Sequence, residues 1–169
     1  MVSKALNLAL RGFQFFCALI VMALVGNMIA TAVAGNSAMV NYDMFVAVFG
    51  MASLLYLLPT AFLDSFSAPM VNIALDALNV LFWFCGAVAT AAYLHVHSCS
   101  NLGYTRSNHI TNGSPDTKKR CHEAQASTAF LWFGWAAFTA SLIISAMGGS
   151  GTMNMRSPMR RSGPSMSQV

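Results

Sequence analysis

The sequence predicts an all-α membrane protein, a bundle of four transmembrane helices with both termini in the cytosol. Two observations carry that class. Charged residues make up 8% of the chain and hydrophobic ones 56%, whereas a soluble domain carries roughly 25% charge. So few charges do not cover a water-facing surface, but a bilayer removes the need. The apolar residues also gather into runs of about 19 to 24 positions, the length that crosses ~30 Å of hydrocarbon at 1.5 Å per residue. These runs are apolar all round, unlike helices that lie on a membrane with one polar stripe. At 169 residues the chain has the size of one folding unit.

Residues 1–12 form a cytosolic N-terminus carrying Lys4 and Arg11. The first run, Phe13 to Ala34, has no charge. Ala32-Val33-Ala34 resembles a signal-peptidase site, but a signal core of ~7–15 apolar residues is shorter than this run. An uncleaved first helix is therefore expected. A short connection, Gly35 to Asp43, leads to the second run, Met44 to Phe62. Leu63 to Pro69 is a tight turn, with Pro69 suited to a helix start. The third run, Met70 to Tyr93, carries one charge, Asp76. Residues 94–124 form a polar loop rich in Asn, Ser, Thr and Lys, long enough to suggest an exposed or cross-linked segment. The fourth run, Gln125 to Met147, is uncharged. The Gly, Ser, Met, Pro and Arg of residues 148–169 read as a disordered basic tail.

Four spans put both ends on one side, together with Lys4, Arg11, Arg156, Arg160 and Arg161. Arg106, Lys118, Lys119 and Arg120 fall on the other side, so the positive-inside count is nearly a tie. Positive charge before the first helix and none in the connection after it breaks the tie. So does the cysteine-bearing loop. Both place the termini inside and the loop outside. The net charge of +4 sits at the ends of apolar runs, not in an aromatic-interleaved patch, which excludes a nucleic-acid surface. Lys4, Arg11, Arg156, Arg160 and Arg161 are the candidates for contact with lipid head groups, and Ser157 and Ser162 are phosphorylation candidates that would weaken it.

Cys99 and Cys121 bracket the loop. In an oxidising space they can close a ring worth ~3 kcal/mol in the chain-entropy model; the other reading is two unpaired thiols. Cys17 and Cys85 read as small hydrophobes within helices, with palmitoylation as the alternative for Cys17. His95, His97, His109 and His122 neighbour the loop cysteines, but their spacing matches no structural zinc pattern, so no metal or other cofactor is expected. Asn112-Gly113-Ser114 is a glycosylation sequon with an unfavourable Pro115 behind it.

Asp76 is the most informative residue, because a carboxylate within a span is costly and by default a functional candidate. Asn72 and Asn79 share its helix face. One reading is a proton or cation site; the favoured one is hydrogen bonding between helices, since no charged partner is apparent. Small residues at spacing four, such as Gly26 with Ala30, Gly86 with Thr90, Ala87 with Ala91 and Ala136 with Ala140, allow close helix packing. Self-association is compatible with them but not required. Trp83, Trp132 and Trp135 lie inside their runs, not at interfaces. No catalytic constellation appears.

Several segments resemble one family. Asn41-Tyr42, Leu75-Asp76-x-Leu78-Asn79, His97-Ser98-Cys99, Ser107-Asn108-x-Ile110-Thr111, Arg120-Cys121-x-x-Ala124-Gln125-Ala126 and the terminal Ser167-Gln168-Val169 look like the fungal MARVEL-domain non-classical export proteins. The resemblance covers nearly the whole chain, except that Pro115 to Lys119 is a slightly longer segment. It implies a non-enzymatic plasma-membrane organiser of furrow-like microdomains, the eisosome compartment. It further implies sphingolipid sensing, partners among membrane lipids and microdomain proteins, and a link to protein export without signal peptides. The competing readings are a small ion- or proton-coupled transporter or channel using Asp76, and a vesicle-trafficking cargo factor.

Overall fold

A computed structural model describes residues 4–33, 35–62, 68–95 and 97–154, with side chains described as far as Met147. The described residues are helical and turn, with no strand among them. Four long helices, α1 (Lys4–Ala30), α2 (Ala38–Phe62), α3 (Pro69–Leu94) and α5 (Thr117–Asn154), are each long and apolar enough to cross a membrane. A short helix, α4 (Leu102–Ser107), lies in the long loop. The four-span bundle expected from the sequence is the fold observed.

The helix ends differ from the runs. α1 begins at Lys4 instead of residue 13, because Arg11 is not a flanking charge but part of the interior. α2 begins at Ala38 and takes in Asp43, which the sequence reading left in the connection. α5 begins at Thr117 instead of residue 125. There the Asp116 carboxylate accepts from the Lys119 backbone N–H at 3.0 Å and caps the first turn. The loop thus shrinks to the stretch between Leu94 and Thr117. At its other end α5 continues to Asn154, past the Met147 boundary. Its 38 residues span roughly 57 Å at 1.5 Å per residue, more than a bilayer's hydrocarbon core. Arg156, Ser157, Arg160, Arg161 and Ser162 lie outside the described residues.

Each helix packs on two neighbours. α1 and α3 both contact α2 and α5, which leaves α1 facing α3 across one diagonal and α2 facing α5 across the other. The centre is filled by Trp83 of α3, fully buried and packed on Phe138 with ring centroids 5.5 Å apart. Two glycines make room for it. A Cβ on Gly50 would sit 3.0 Å from the indole Nε1, and a Cβ on Gly134 would fall inside the ring. The small-residue pattern on α3 has the same use: Gly86, Ala87 and Thr90 are buried toward the neighbouring helices, whereas Ala30 and Ala136 are exposed. The outer surface stays apolar, with Phe16, Leu19, Leu55, Leu81, Phe84, Phe133 and Ile143 exposed, as lipid contact demands. Trp132 and Trp135 are half-buried and meet edge to face; Trp132 also meets Phe84 edge to face, and Trp135 packs on Phe84 at a tilt.

Candidate functional site

The polar groups of the bundle fall into two layers. The inner layer lies roughly two turns in from the starts of α1 and α3, which run parallel from the same membrane side. The Arg11 guanidinium donates to both oxygens of Asp76, at 2.5 and 2.7 Å. Arg11 is 3% exposed and Asp76 0%. Arg11 also donates to the Gln14 side-chain oxygen at 3.1 Å. Gln14 in turn donates to the Ala137 carbonyl at 3.0 Å and the Ser141 hydroxyl at 2.8 Å. One network thereby joins α1, α3 and α5.

Two sequence expectations are corrected here. Arg11 does not contact lipid head groups, because its guanidinium is sealed inside the bundle on Asp76. Asp76 does not lack a charged partner, and its hydrogen bonding between helices is an ion pair. Asn79 shares the buried face but donates to the Leu75 carbonyl of its own helix at 2.9 Å. Asn72 is half-buried on α3, and Lys4 is exposed in the first turn of α1.

The outer layer contains a group the sequence reading missed. Asp43 of α2 is buried and accepts the Thr90 hydroxyl proton of α3 at 2.6 Å, while its other oxygen faces the Cα of Gly86 with no hydrogen-bond partner. Above it, Arg120 is 1% exposed and acts as a clamp. Its Nε donates to the Ile110 carbonyl at 2.7 Å, one terminal nitrogen to the Met28 carbonyl, and the other to the Asn36 side chain at 3.0 Å. A fixed three-way fork of this kind suits arginine and not lysine. Gly113 lies against the guanidinium, 3.0 Å from where its Cβ would be, and accepts from the Val33 N–H.

Beside the clamp, Cys99 and Cys121 form a disulfide, with Cα atoms 5.7 Å apart. Cys17 is a buried free thiol and Cys85 an exposed one. Among the described residues, no group of three His, Cys, Asp or Glu side chains is placed to hold a metal ion. The buried ionic groups among the described residues thus serve to join helices and loop.

This arrangement defines a class: a four-span helical membrane protein with a cross-linked outer loop and internally paired charges. The model of the MARVEL membrane-associating domain matches residues 4–144. Non-classical export protein 2 of Saccharomyces cerevisiae is 35% identical, over 95% of each chain. Non-classical export protein 102 of Candida albicans is 38% identical, over 96% of this chain and 97% of its own. The non-classical export protein 2 homolog of Schizosaccharomyces pombe is 30% identical, over 79% and 73%. The chain belongs to the MARVEL family and, within it, to the fungal non-classical export proteins. No solved structure matches it.

Proposed function

We propose that the protein is a non-enzymatic organiser of the plasma membrane, acting in eisosome-type microdomains, with sphingolipid sensing, partner recruitment and a link to non-classical export. The observation that carries this reading is where the polarity goes. Arg11, Asp76, Gln14 and Arg120 spend their hydrogen bonds inside the protein, and the outward surface presents apolar and aromatic side chains to lipid. A molecule built that way acts through its surface and length. A 38-residue helix and an apolar, aromatic outer face sort by bilayer thickness and order, at fractions of a kcal/mol per Å of mismatch, so many copies are needed. The names of the relatives support the export link, and the disulfide supports an outer loop in an oxidising space. Membrane lipids, microdomain proteins and further copies of the chain are the proposed partners.

The transporter reading loses its main support, because both oxygens of Asp76 are held by Arg11 and offer no open ion site. Fluorescent tagging in a fungal cell tests the organiser. Stable plasma-membrane patches that disperse when sphingolipid synthesis is blocked are expected. A uniform or purely endosomal signal would defeat the reading.

A further inference from the structure

The outer loop holds a second cluster that the bundle's ionic network does not use. A cavity of about 280 Å³ opens there, walled by the imidazoles of His95, His97 and His109 and the phenols of Tyr93 and Tyr104. Its frame is firmly tied. Asn108 donates to the Tyr93 carbonyl at 2.8 Å and accepts from the Ile110 N–H at 2.9 Å. The Tyr104 hydroxyl donates to the Leu94 carbonyl, and Gln125 donates to the His97 carbonyl at 3.1 Å. The disulfide at Cys99 follows directly. Tyr104 and Asn108 are thus committed to the fold. The three imidazoles and the Tyr93 side chain are exposed, and no hydrogen bond among the described residues engages them, so they are open to a ligand.

The backbone of His95 stands out, with φ 52° and ψ 172°, a region that glycine enters readily and a side chain does not. Such strain persists only where the surrounding structure imposes it, and it clusters at active sites and ligand clamps. Here the side chain is one wall of the cavity.

The chemistry of the lining narrows the ligand. Among the described residues, no Asp, Glu, Lys or Arg lines the cavity, so its described walls offer no fixed charge to an ion. The three imidazoles are not gathered closely enough to share a metal. A neutral imidazole carries one donor and one acceptor, the combination that a sugar hydroxyl also carries. The rings also gather into one aromatic group: His97 packs on Tyr104 at 4.7 Å and 41° and meets His95 edge on at 6.3 Å and 74°, so only the faces turned away from these contacts are open. Aromatic faces of this kind accept the C–H face of a pyranose ring, leaving its hydroxyls for the imidazole edges. The volume lies just below the usual range of ligand sites, which leaves room for a single ring and no more.

We propose that this cavity binds an uncharged hexose unit, with His95, His97, His109 and Tyr93 as the recognition groups. The hexose can belong to a free glycan or to the head group of a lipid, and the two sources are separable. The full chain is placed in phosphatidylcholine nanodiscs, free of glycoside detergents that would compete. Saturation-transfer NMR is then recorded with methyl glucoside, mannoside and galactoside, and with the same hexoses on lipid anchors in the disc. Transfer to the ring protons of at least one hexose is expected, falling at least fivefold in both His97→Ala and Tyr93→Phe. Transfer from the free hexosides assigns a glycan, and transfer from the anchored forms alone assigns a glycolipid. His95→Gly should raise the thermal midpoint while lowering transfer at least fivefold. The proposal is overturned by no transfer from any hexose, free or anchored, or by transfer that Tyr93→Phe and His97→Ala leave unchanged. Zinc or phosphate shifting the histidine resonances where no hexose does so would also overturn it.

Discussion

Both carboxylate oxygens of Asp76 are held by the guanidinium of Arg11, across the diagonal on which α1 and α3 face each other. The backbones of these two helices do not meet, so the ion pair is the direct tie between them at this level. Its bidentate geometry fixes both the axial register and the rotation of α1 against α3. A charged pair costs desolvation wherever it is buried, and its net worth is modest. The asymmetry lies in removal: losing one member strands the other in a low-dielectric interior.

Asp76→Leu and Arg11→Met should therefore each destabilise the bundle by about 3–5 kcal/mol, whereas the two combined should recover most of that loss. Unfolding in mixed micelles, read as a double-mutant cycle, checks this. Additive losses in the double variant would show that the pair is not coupled.

The spans were legible because a helix in hydrocarbon must be apolar all round, and composition alone reports that. The pairing of Arg11 with Asp76 was not, because the partners are 65 residues apart and nothing local connects them. One signal was available: each residue lies roughly two turns into its helix, and α1 and α3 enter from the same side, so their depths match. Beside an uncharged run, however, Arg11 has the look of a boundary charge, which puts the expected start of α1 too far along the chain. Asp43 was misplaced for the same reason. A charge next to an apolar run looks like an end, but Thr90 satisfies this one inside the bundle. The Cys99–Cys121 pair was legible from loop position, while the Arg120 clamp depends on carbonyls from three segments that no local pattern brings together.

Trp83 and Gly134 give a steric test of the core. Gly134→Ala puts a methyl group into the indole of Trp83 and should cost about 1–3 kcal/mol as the ring shifts. Combining it with Trp83→Leu, which vacates that space, should make the alanine nearly neutral relative to Trp83→Leu alone. Thermal midpoints of the four proteins decide; an equal cost of Gly134→Ala in both backgrounds would show that the contact is not limiting.

The disulfide and the clamp hold the loop by different means. Cys99→Ser with Cys121→Ser removes a cross-link over a separation of 22 residues, worth about 3 kcal/mol in the chain-entropy model. Arg120→Lys keeps the charge but loses the fork, leaving acceptors among the Ile110 and Met28 carbonyls and the Asn36 side-chain oxygen without a donor. Limited proteolysis between Leu94 and Thr117 should accelerate in both. Reducing agent should add nothing further to the serine variant, yet accelerate cleavage of the Arg120→Lys protein.

Asp43 and Asp76 are both buried acids near helix starts, and the same substitution should cost far less at one than at the other. Asp76→Asn abandons a guanidinium. Asp43→Asn abandons no cation, since Asp43 forms no salt bridge among the described residues, and its amide oxygen still accepts from Thr90. The cost of Asp43→Asn should stay below about 1 kcal/mol, because an oxygen without a partner beside Gly86 is replaced by an amino group in the same position. Thr90→Val removes the donor instead and should cost about 1–3 kcal/mol, the penalty of a buried acceptor left without its hydrogen bond. Parallel unfolding of Asp43→Asn, Thr90→Val and Asp76→Asn ranks the three. If Asp43→Asn were as damaging as Asp76→Asn, Asp43 would have to hold a charge partner of its own, and the outer layer would be ionic like the inner one.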